Sequence, residues 1–152
     1  MTTRDRLLSG IGGGLLGGLV FGLVLQSAGI IDTVALLVGD ESSLGVGWIT
    51  LLVITGVLGL VYGATFGRLP HSWTRGPLYG LAHGVVWWVL GVLLIQPMWH
   101  GYDIGTFGEA TWFNLLGYVL YGLITGVVTT AVASRGQTGS QRQREMADTA
   151  AH

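Results

Sequence analysis

Four stretches of the chain, each about 20 residues long, contain no Asp, Glu, Lys or Arg. At a rise of about 1.5 Å per residue, a helix of this length crosses the hydrocarbon core of a bilayer, which is about 30 Å thick. A single Asp or Arg at the centre of such a helix costs about 2.5–3.5 kcal/mol on insertion scales. The sequence therefore predicts an all-α fold, a four-transmembrane-helix bundle formed by residues 1–135, with helices at about 7–27, 48–68, 77–97 and 112–134.

Composition supports this class. Half of the residues are hydrophobic and 10% are charged, whereas about a quarter are charged in soluble domains. The chain has no cysteine, which excludes disulfides, thiol chemistry and cysteine-ligated metals. The net charge of −1 gives no indication of a nucleic-acid partner. The lipid bilayer is the partner that the composition predicts.

The first apolar stretch could also be a cleaved signal peptide, because it follows Arg4 and Arg6. Its apolar run is too long for that alternative, since a signal core has about 7–15 residues. The small-residue site Ser27-Ala28-Gly29 is a weak cleavage signal. We therefore expect this stretch to be the first membrane helix.

Arginines predict the orientation. All seven basic residues are arginines, and they lie before the first helix, between the second and third, and after the fourth: Arg4, Arg6, Arg68, Arg75, Arg135, Arg142 and Arg144. By the positive-inside rule, both termini and the middle connection are expected on the cytoplasmic side of the cell membrane. Residues 136–152 are polar and low in bulky apolar side chains, which predicts a disordered cytoplasmic tail.

The two halves of the chain resemble each other. A shift of 70 residues along the first helix, or 63 along the second, superposes glycine on glycine: Gly10 on Gly80, Gly14 on Gly84, Gly59 on Gly122 and Gly63 on Gly126. Each half is a helix, an acidic connection and a second helix. This pattern predicts a two-fold internal repeat of helix pairs, both with the same orientation.

Glycines recur every four residues, and therefore on one face of each helix. A glycine inside a helix costs roughly 0.5–1 kcal/mol relative to alanine, so such a stripe implies a compensating gain from close backbone approach. One hypothesis is a tightly packed bundle, and the other is that a stripe, that of the first helix above all, packs against another subunit. The expected packing residues are Gly10, Gly14, Gly18, Gly22, Gly59, Gly63, Gly80, Gly84, Gly122 and Gly126.

One histidine lies inside a predicted span. Tyr79, His83 and Trp87 follow at steps of four and form one stripe of the third helix. Counting residues from the cytoplasmic ends brings Tyr62 and Thr125 to a similar depth. We therefore expect a polar intramembrane cluster of His83, Tyr62 and Thr125, in which a neutral imidazole is bonded to a hydroxyl of another helix.

Other roles for His83 remain open at this point. An intramembrane ionisable side chain often marks a proton or solute pathway. A haem or metal ligand is a further alternative, but no second histidine lies inside a span at matching depth. We predict no metal and no cofactor. The aromatic and polar stripes contain side chains that could face a solute: Tyr79, Trp87, Asn114, Tyr118 and Tyr121.

Three features lie near the outer ends of the predicted spans. Gln26 and Gln96 either cap helix ends or ring a vestibule, and His100 with Asp103 forms a weak metal signal. The apolar segment 30–39 is too short to span and predicts a short interfacial helix.

Three segments resemble a family of small, glycine-rich, four-helix prokaryotic integral membrane proteins. They are GxxYGLxxGVVWWVLG at 76–91, ALLVGDES followed by GW at 35–48, and the last GxxxG of the fourth helix. The likeness covers about residues 8–132 and implies the fold and a membrane location. It brings no catalytic residue with it.

No Ser-His-Asp set, HExxH or phosphate-binding glycine loop followed by lysine occurs, so we expect no catalytic residue and no enzyme. The first functional hypothesis is a helix-packing or assembly protein, either a homo-oligomer or an accessory subunit of a membrane complex. The alternative is a small channel or transporter for an uncharged or weakly charged solute. A transporter usually needs a broken helix or a charged coupling residue near the midplane, and the sequence has no such residue.

Overall fold

A computed structural model describes residues 2–39, 43–70, 72–95 and 109–150, and these residues contain helices and no strands. Shorter 3-10 helices cover Ile31–Val38 and Phe66–Arg68, and a π-helix covers Val89–Ile95. The α-helices are α1 (Thr3–Ser27), α2 (Leu44–Thr65), α3 (Arg75–Trp88) and α4 (Glu109–Ala150). The expectation of an all-α chain with four helices long and apolar enough to cross a membrane is confirmed.

Two helices begin four residues before the predicted apolar spans because capping residues precede them. The Thr2 side chain accepts a hydrogen bond from the Asp5 backbone (3.1 Å), and the Asp5 carboxylate accepts one from the Thr2 backbone (3.0 Å). This reciprocal capping box satisfies two backbone donors of α1. Ser43 caps α2 through the Val46 backbone (3.3 Å). The first turn of α1 is therefore helical although its residues are polar.

The other two helices differ from the prediction beyond their apolar parts. The third was expected to run as one α-helix to residue 97, but α3 changes to a π-helix at Val89. A disordered tail was expected from residue 136, but α4 continues to Ala150. The Gln, Arg, Glu, Met and Ala residues of this segment are good helix formers, and they extend a helix that the apolar span has already nucleated.

The helices form a bundle in which α1 lies between α2 and α4, and α4 lies between α1 and α3. The fourth side of the bundle, between α2 and α3, is bridged by side chains. The 3-10 helix Ile31–Val38 corresponds to the short helix expected at 30–39. It buries Ile31 and Ala35 and lies against the first turn of α2, where the Ile31 carbonyl faces Gly47.

Candidate functional site

Glycines bring α1 and α2 into backbone contact. A Cβ atom on Gly14 would lie 2.8 Å from the Cα of Gly59, and one on Gly10 would lie 2.9 Å from the Cα of Gly63. The carbonyl oxygens of Thr55 and Gly59 lie closer still. Lipid provides no hydrophobic drive between helices, so this close approach, with its dispersion contacts, holds the pair together.

The same arrangement joins α3 to α4. A Cβ atom on Gly80 would lie 3.0 Å from the Cα of Gly126, and one on Gly84 would lie 3.3 Å from the Cα of Gly122. The Tyr118 carbonyl lies against Gly84 as well. Each half of the chain is therefore a hairpin of helices in which glycine faces glycine.

The glycine stripe of α1 is filled within the chain. Below its glycine contacts with α2, a Cβ atom on Gly18 would lie 2.8 Å from the Thr55 Cβ, and one on Gly22 would lie 2.8 Å from a ring atom of Trp48. Sequence analysis left open that this stripe packs against another subunit. In the structure α2 of the same chain occupies it.

A second line of glycines on α1 meets α4. A Cβ atom on Gly13 would lie 3.0 Å from the Cα of Thr125, and one on Gly17 would lie 3.0 Å from the Cα of Tyr121. We call this contact the α1–α4 seam. It leaves no room for a side chain on α1 at these two positions.

The opposite side of the bundle is filled by rings around His83. The ring centroid of His83 lies 5.2 Å from that of Tyr62, 5.9 Å from Phe66, 6.1 Å from Trp87 and 6.2 Å from Tyr121. We call these five residues the His83 cluster. The cluster fills the contact between α2 and α3, which we call the α2–α3 seam. Three of the four contacts are edge-on or close to it, an arrangement that aromatic rings favour.

Hydrogen bonds to backbone carbonyls cross the bundle interior. His83 Nε2 lies 3.1 Å from the Leu58 carbonyl oxygen, and because a carbonyl only accepts, this nitrogen carries the proton. The Tyr62 hydroxyl donates to the Gly76 carbonyl (3.3 Å), and the Tyr121 hydroxyl donates to that of Thr55 (3.4 Å). These bonds connect α2 with α3 and with α4.

Four threonines line the interior, and one of them differs from the rest. Thr55 and Thr125 donate to carbonyls one turn earlier in their own helices, at 2.9 and 2.8 Å. Thr130 does the same at 2.8 Å. Thr129 is fully buried, yet its Oγ1 has no hydrogen-bond partner within the described part of the chain.

The expected cluster of His83, Tyr62 and Thr125 is brought together only in part. All three side chains are buried, and the rings of Tyr62 and His83 are in contact. The hydrogen bond of the imidazole Nε2 is to a backbone carbonyl rather than to a hydroxyl. Thr125 bonds within α4 and lies at the α1–α4 seam.

The side chains expected to face a solute are divided between two places. Trp87 and Tyr121 belong to the His83 cluster, and the Tyr79 ring lies 6.0 Å from that of Phe66. Tyr118 lies elsewhere, 4.8 Å from Phe21 of α1. Asn114, in the first two turns of α4, is half-buried. The structure thus gives these residues no single shared surface.

Sequence analysis missed two partners of His83. One is the Leu58 carbonyl, which no side-chain pattern reveals because every residue has a carbonyl. The other is Phe66, whose position one turn after Tyr62 was a usable signal. Gln26 accepts a hydrogen bond from the Trp48 indole (2.9 Å), while Gln96, His100 and Asp103 lie outside the described residues.

Within the described ranges, no group of three potential ligands could hold a metal ion. No family model, no curated protein and no solved structure matches the chain.

Proposed function

We propose that this chain is a multi-pass integral membrane protein without catalytic activity that acts as a helix-packing or assembly protein. Its four helices form a rigid unit that associates with a second copy or with another membrane protein. The observation that carries this proposal is how the buried side chains use their hydrogen-bond donors. His83, Tyr62 and Tyr121 all donate to backbone carbonyls of the same chain, so they hold helices together rather than contact a substrate.

The proposal includes the internal repeat, which the glycine contacts support. Shifting α1 by 70 residues and α2 by 63 converts the neighbours of Gly10 into those of Gly80. Gly59 and Gly63 of the first hairpin correspond in this way to Gly122 and Gly126 of the second. A scaffold made of two equivalent rigid hairpins fits a role in assembly.

The α3 helix is the proposed partner face. Of the candidate spans, α1 is the most buried, at 44% of its most apolar stretch, and the span Arg75–Leu94, which comprises α3 and most of the π-helix, is the least buried, at 22%. Leu78 and Val86 of α3 are exposed by 56% and 51%. An assembly contact on this face would cover the helix that the bundle itself covers least.

Photo-crosslinking in native membranes tests this role. A photoreactive side chain at Val86 should capture a protein, and one at Leu16 of α1, exposed by 52%, should capture lipid alone. The adduct mass distinguishes a second copy from a different subunit. Equal capture at both positions, or none at Val86, would count against the assembly role.

The proposed location is the cell membrane, with both termini and the connection 69–74 on the cytoplasmic side. The seven arginines support this orientation. Because the chain has no cysteine, Thr33→Cys and Ser72→Cys each introduce a single thiol at an exposed position. An impermeant maleimide should label Cys at 33 in intact cells and Cys at 72 after permeabilisation. The reverse pattern would overturn the orientation.

A small channel or transporter for an uncharged or weakly charged solute is the second candidate. The α2–α3 seam favours it, since the side chains of the His83 cluster, rather than backbone contacts, fill this side. Solute flux in proteoliposomes, compared between wild type and His83→Ala, tests this function, and Thr125→Val, at the α1–α4 seam, is the control away from this side. If no small neutral solute crosses faster than in empty vesicles, the transporter is excluded.

A further inference from the structure

Five arginines lie at one end of the bundle. Gly67 packs against the stem of Arg6, since a Cβ atom on Gly67 would lie 3.3 Å from the Arg6 Cβ. The Tyr62 hydroxyl reaches the carbonyl of Gly76, at the start of α3. Thr130 of α4 lies against the same glycine. These contacts bring one end of every helix to a common level, with Arg4, Arg6, Arg68, Arg75 and Arg135 on it.

This end carries unneutralised positive charge. Arg6 donates to the Thr3 hydroxyl (3.0 Å), and within the described residues none of the five guanidinium groups forms an ion pair with a carboxylate. Asp5 is the one carboxylate described at this end, and its oxygen accepts from the Thr2 backbone (3.0 Å). Five arginines and one aspartate leave a net charge of +4 on this surface.

The surface also exposes apolar side chains that could contact lipid at the level of the headgroups. Trp73, in the connection between α2 and α3, is 62% exposed, and Leu69 is 43% exposed. Tryptophan is enriched at the level of lipid headgroups. Arg68 and Arg75 are both exposed and stand on either side of this connection. A guanidinium group binds the oxygens of a phosphate with two parallel hydrogen bonds.

We propose that this end of the bundle binds the phosphate groups of anionic phospholipids, with Arg68 and Arg75 as the central pair. Basic side chains near an anionic membrane surface each contribute about a fivefold gain in binding. Zwitterionic lipids present the same phosphate but cancel its charge, so they bind less well. This inference rests on the membrane location of the chain and not on its role in assembly.

The test uses the full chain in uncharged detergent, titrated with phosphatidylglycerol, phosphatidylcholine or inorganic phosphate. Native mass spectrometry counts the bound lipids. The Arg68→Gln/Arg75→Gln variant should weaken phosphatidylglycerol binding about 25-fold, the product of two fivefold losses. Phosphatidylcholine should bind weakly and equally to both proteins.

A charge-matched control is Arg142→Gln/Arg144→Gln, in the extension of α4 beyond Arg135. It also removes two positive charges, but at positions about 10–14 Å beyond Arg135 along α4. It should change the affinity for phosphatidylglycerol less than twofold. Equal losses of affinity in the two variants would show that the lipid is attracted by the overall positive potential of this end and not bound at a site. Equal binding of the two lipids, or displacement of phosphatidylglycerol by millimolar inorganic phosphate, would overturn the proposal. Arg68 and Arg75 are exposed, and circular dichroism checks that both variants remain folded.

Discussion

The α1–α4 seam and the α2–α3 seam differ in how they close, although the proposed internal repeat relates their positions to each other. At the first, Gly13 and Gly17 touch the backbone of α4. A shift of 70 residues leads from these glycines to His83 and Trp87 of α3. One side of the bundle therefore closes by backbone contact, and the other closes by rings.

The difference between the seams has energetic consequences. Where a glycine faces backbone, an added atom must move a whole helix, because backbone atoms cannot rotate away. Where rings fill the space, a lost or altered ring lets its neighbours change rotamer and collapse in part. The α1–α4 seam should therefore tolerate no added atom, whereas the α2–α3 seam should respond in proportion to the ring volume removed.

The largest effect is expected from Gly17→Leu. Its Cβ would lie 3.0 Å from the Tyr121 Cα, and the remaining side-chain atoms would separate α1 from α4. We expect a loss of about 3 kcal/mol or more in the free energy of unfolding, measured by reversible unfolding in mixed micelles.

Gly12→Ala is a control on the same helix, at a glycine that faces open space. No atom lies within 4 Å of a Cβ at Gly12, so alanine should raise stability by about 0.5–1 kcal/mol through helix propensity. If both variants destabilise α1 equally, close packing is not the reason for the glycines at the seam.

A smaller loss is expected from His83→Ala, about 2 kcal/mol, because removal of a buried ring leaves a cavity that its neighbours refill in part. His83→Phe keeps the ring and removes the bond to Leu58, and interhelical hydrogen bonds in membranes average about 0.6 kcal/mol. Packing should therefore exceed hydrogen bonding at this position. Equal losses in the two variants, measured in the same unfolding assay, would show that the hydrogen bond dominates.

The sequence was sufficient to predict the four long apolar helices, because about 20 residues without charge is the length that a helix needs to cross a bilayer. Step-four spacing placed glycines on shared faces, but it did not say which helix each face meets. Gly10 and Gly13 lie on the same helix and meet α2 and α4 respectively. Which helix a glycine face contacts depends on the order of the helices around the bundle. Counting residues along the membrane normal gives depth and carries no information on that order.

Counting residues along the membrane normal was insufficient for the cluster around His83 for the same reason. It placed Thr125 beside His83, whereas Thr125 is on the side of α4 that faces Gly13. The hydrogen-bond acceptor of His83 could not be predicted from side chains, because it is a main-chain carbonyl whose exposure depends on how the helices are spaced. Patterns of residue type thus predict faces, while contacts across faces require coordinates.

Tyr62→Phe should have an effect near the average for one membrane hydrogen bond. Its hydroxyl reaches the Gly76 carbonyl at 3.3 Å, a long bond, and the phenyl ring keeps its contacts with His83 and Phe66. We expect a loss of about 0.6 kcal/mol or less in the same unfolding assay. A loss as large as that of His83→Ala would mean that this hydroxyl, rather than the rings, holds the α2–α3 seam.

Two threonines of α4 should also give small effects, and their signs should differ. Thr125 Oγ1 donates within its own helix to the Tyr121 carbonyl at 2.8 Å, so Thr125→Val should lower stability by about 0.5 kcal/mol, the low end for an intramolecular hydrogen bond. Thr129 Oγ1 is buried without a partner among the described residues. A buried hydroxyl with no hydrogen bond is destabilising, so Thr129→Val should raise stability by a few tenths to about 1 kcal/mol.

The step of four residues that pairs Gly17 with Tyr121 and Gly13 with Thr125 brings Ser9 opposite Thr129. The Ser9 hydroxyl donates to the Arg6 carbonyl at 3.0 Å, and it forms no hydrogen bond with Thr129, whose Oγ1 has no partner among the described residues. If Thr129→Val instead lowers stability more than Thr125→Val does, the hydroxyl has a bound water as its partner. The α1–α4 seam would then be closed by glycine along most of its length and by a polar contact at the arginine end.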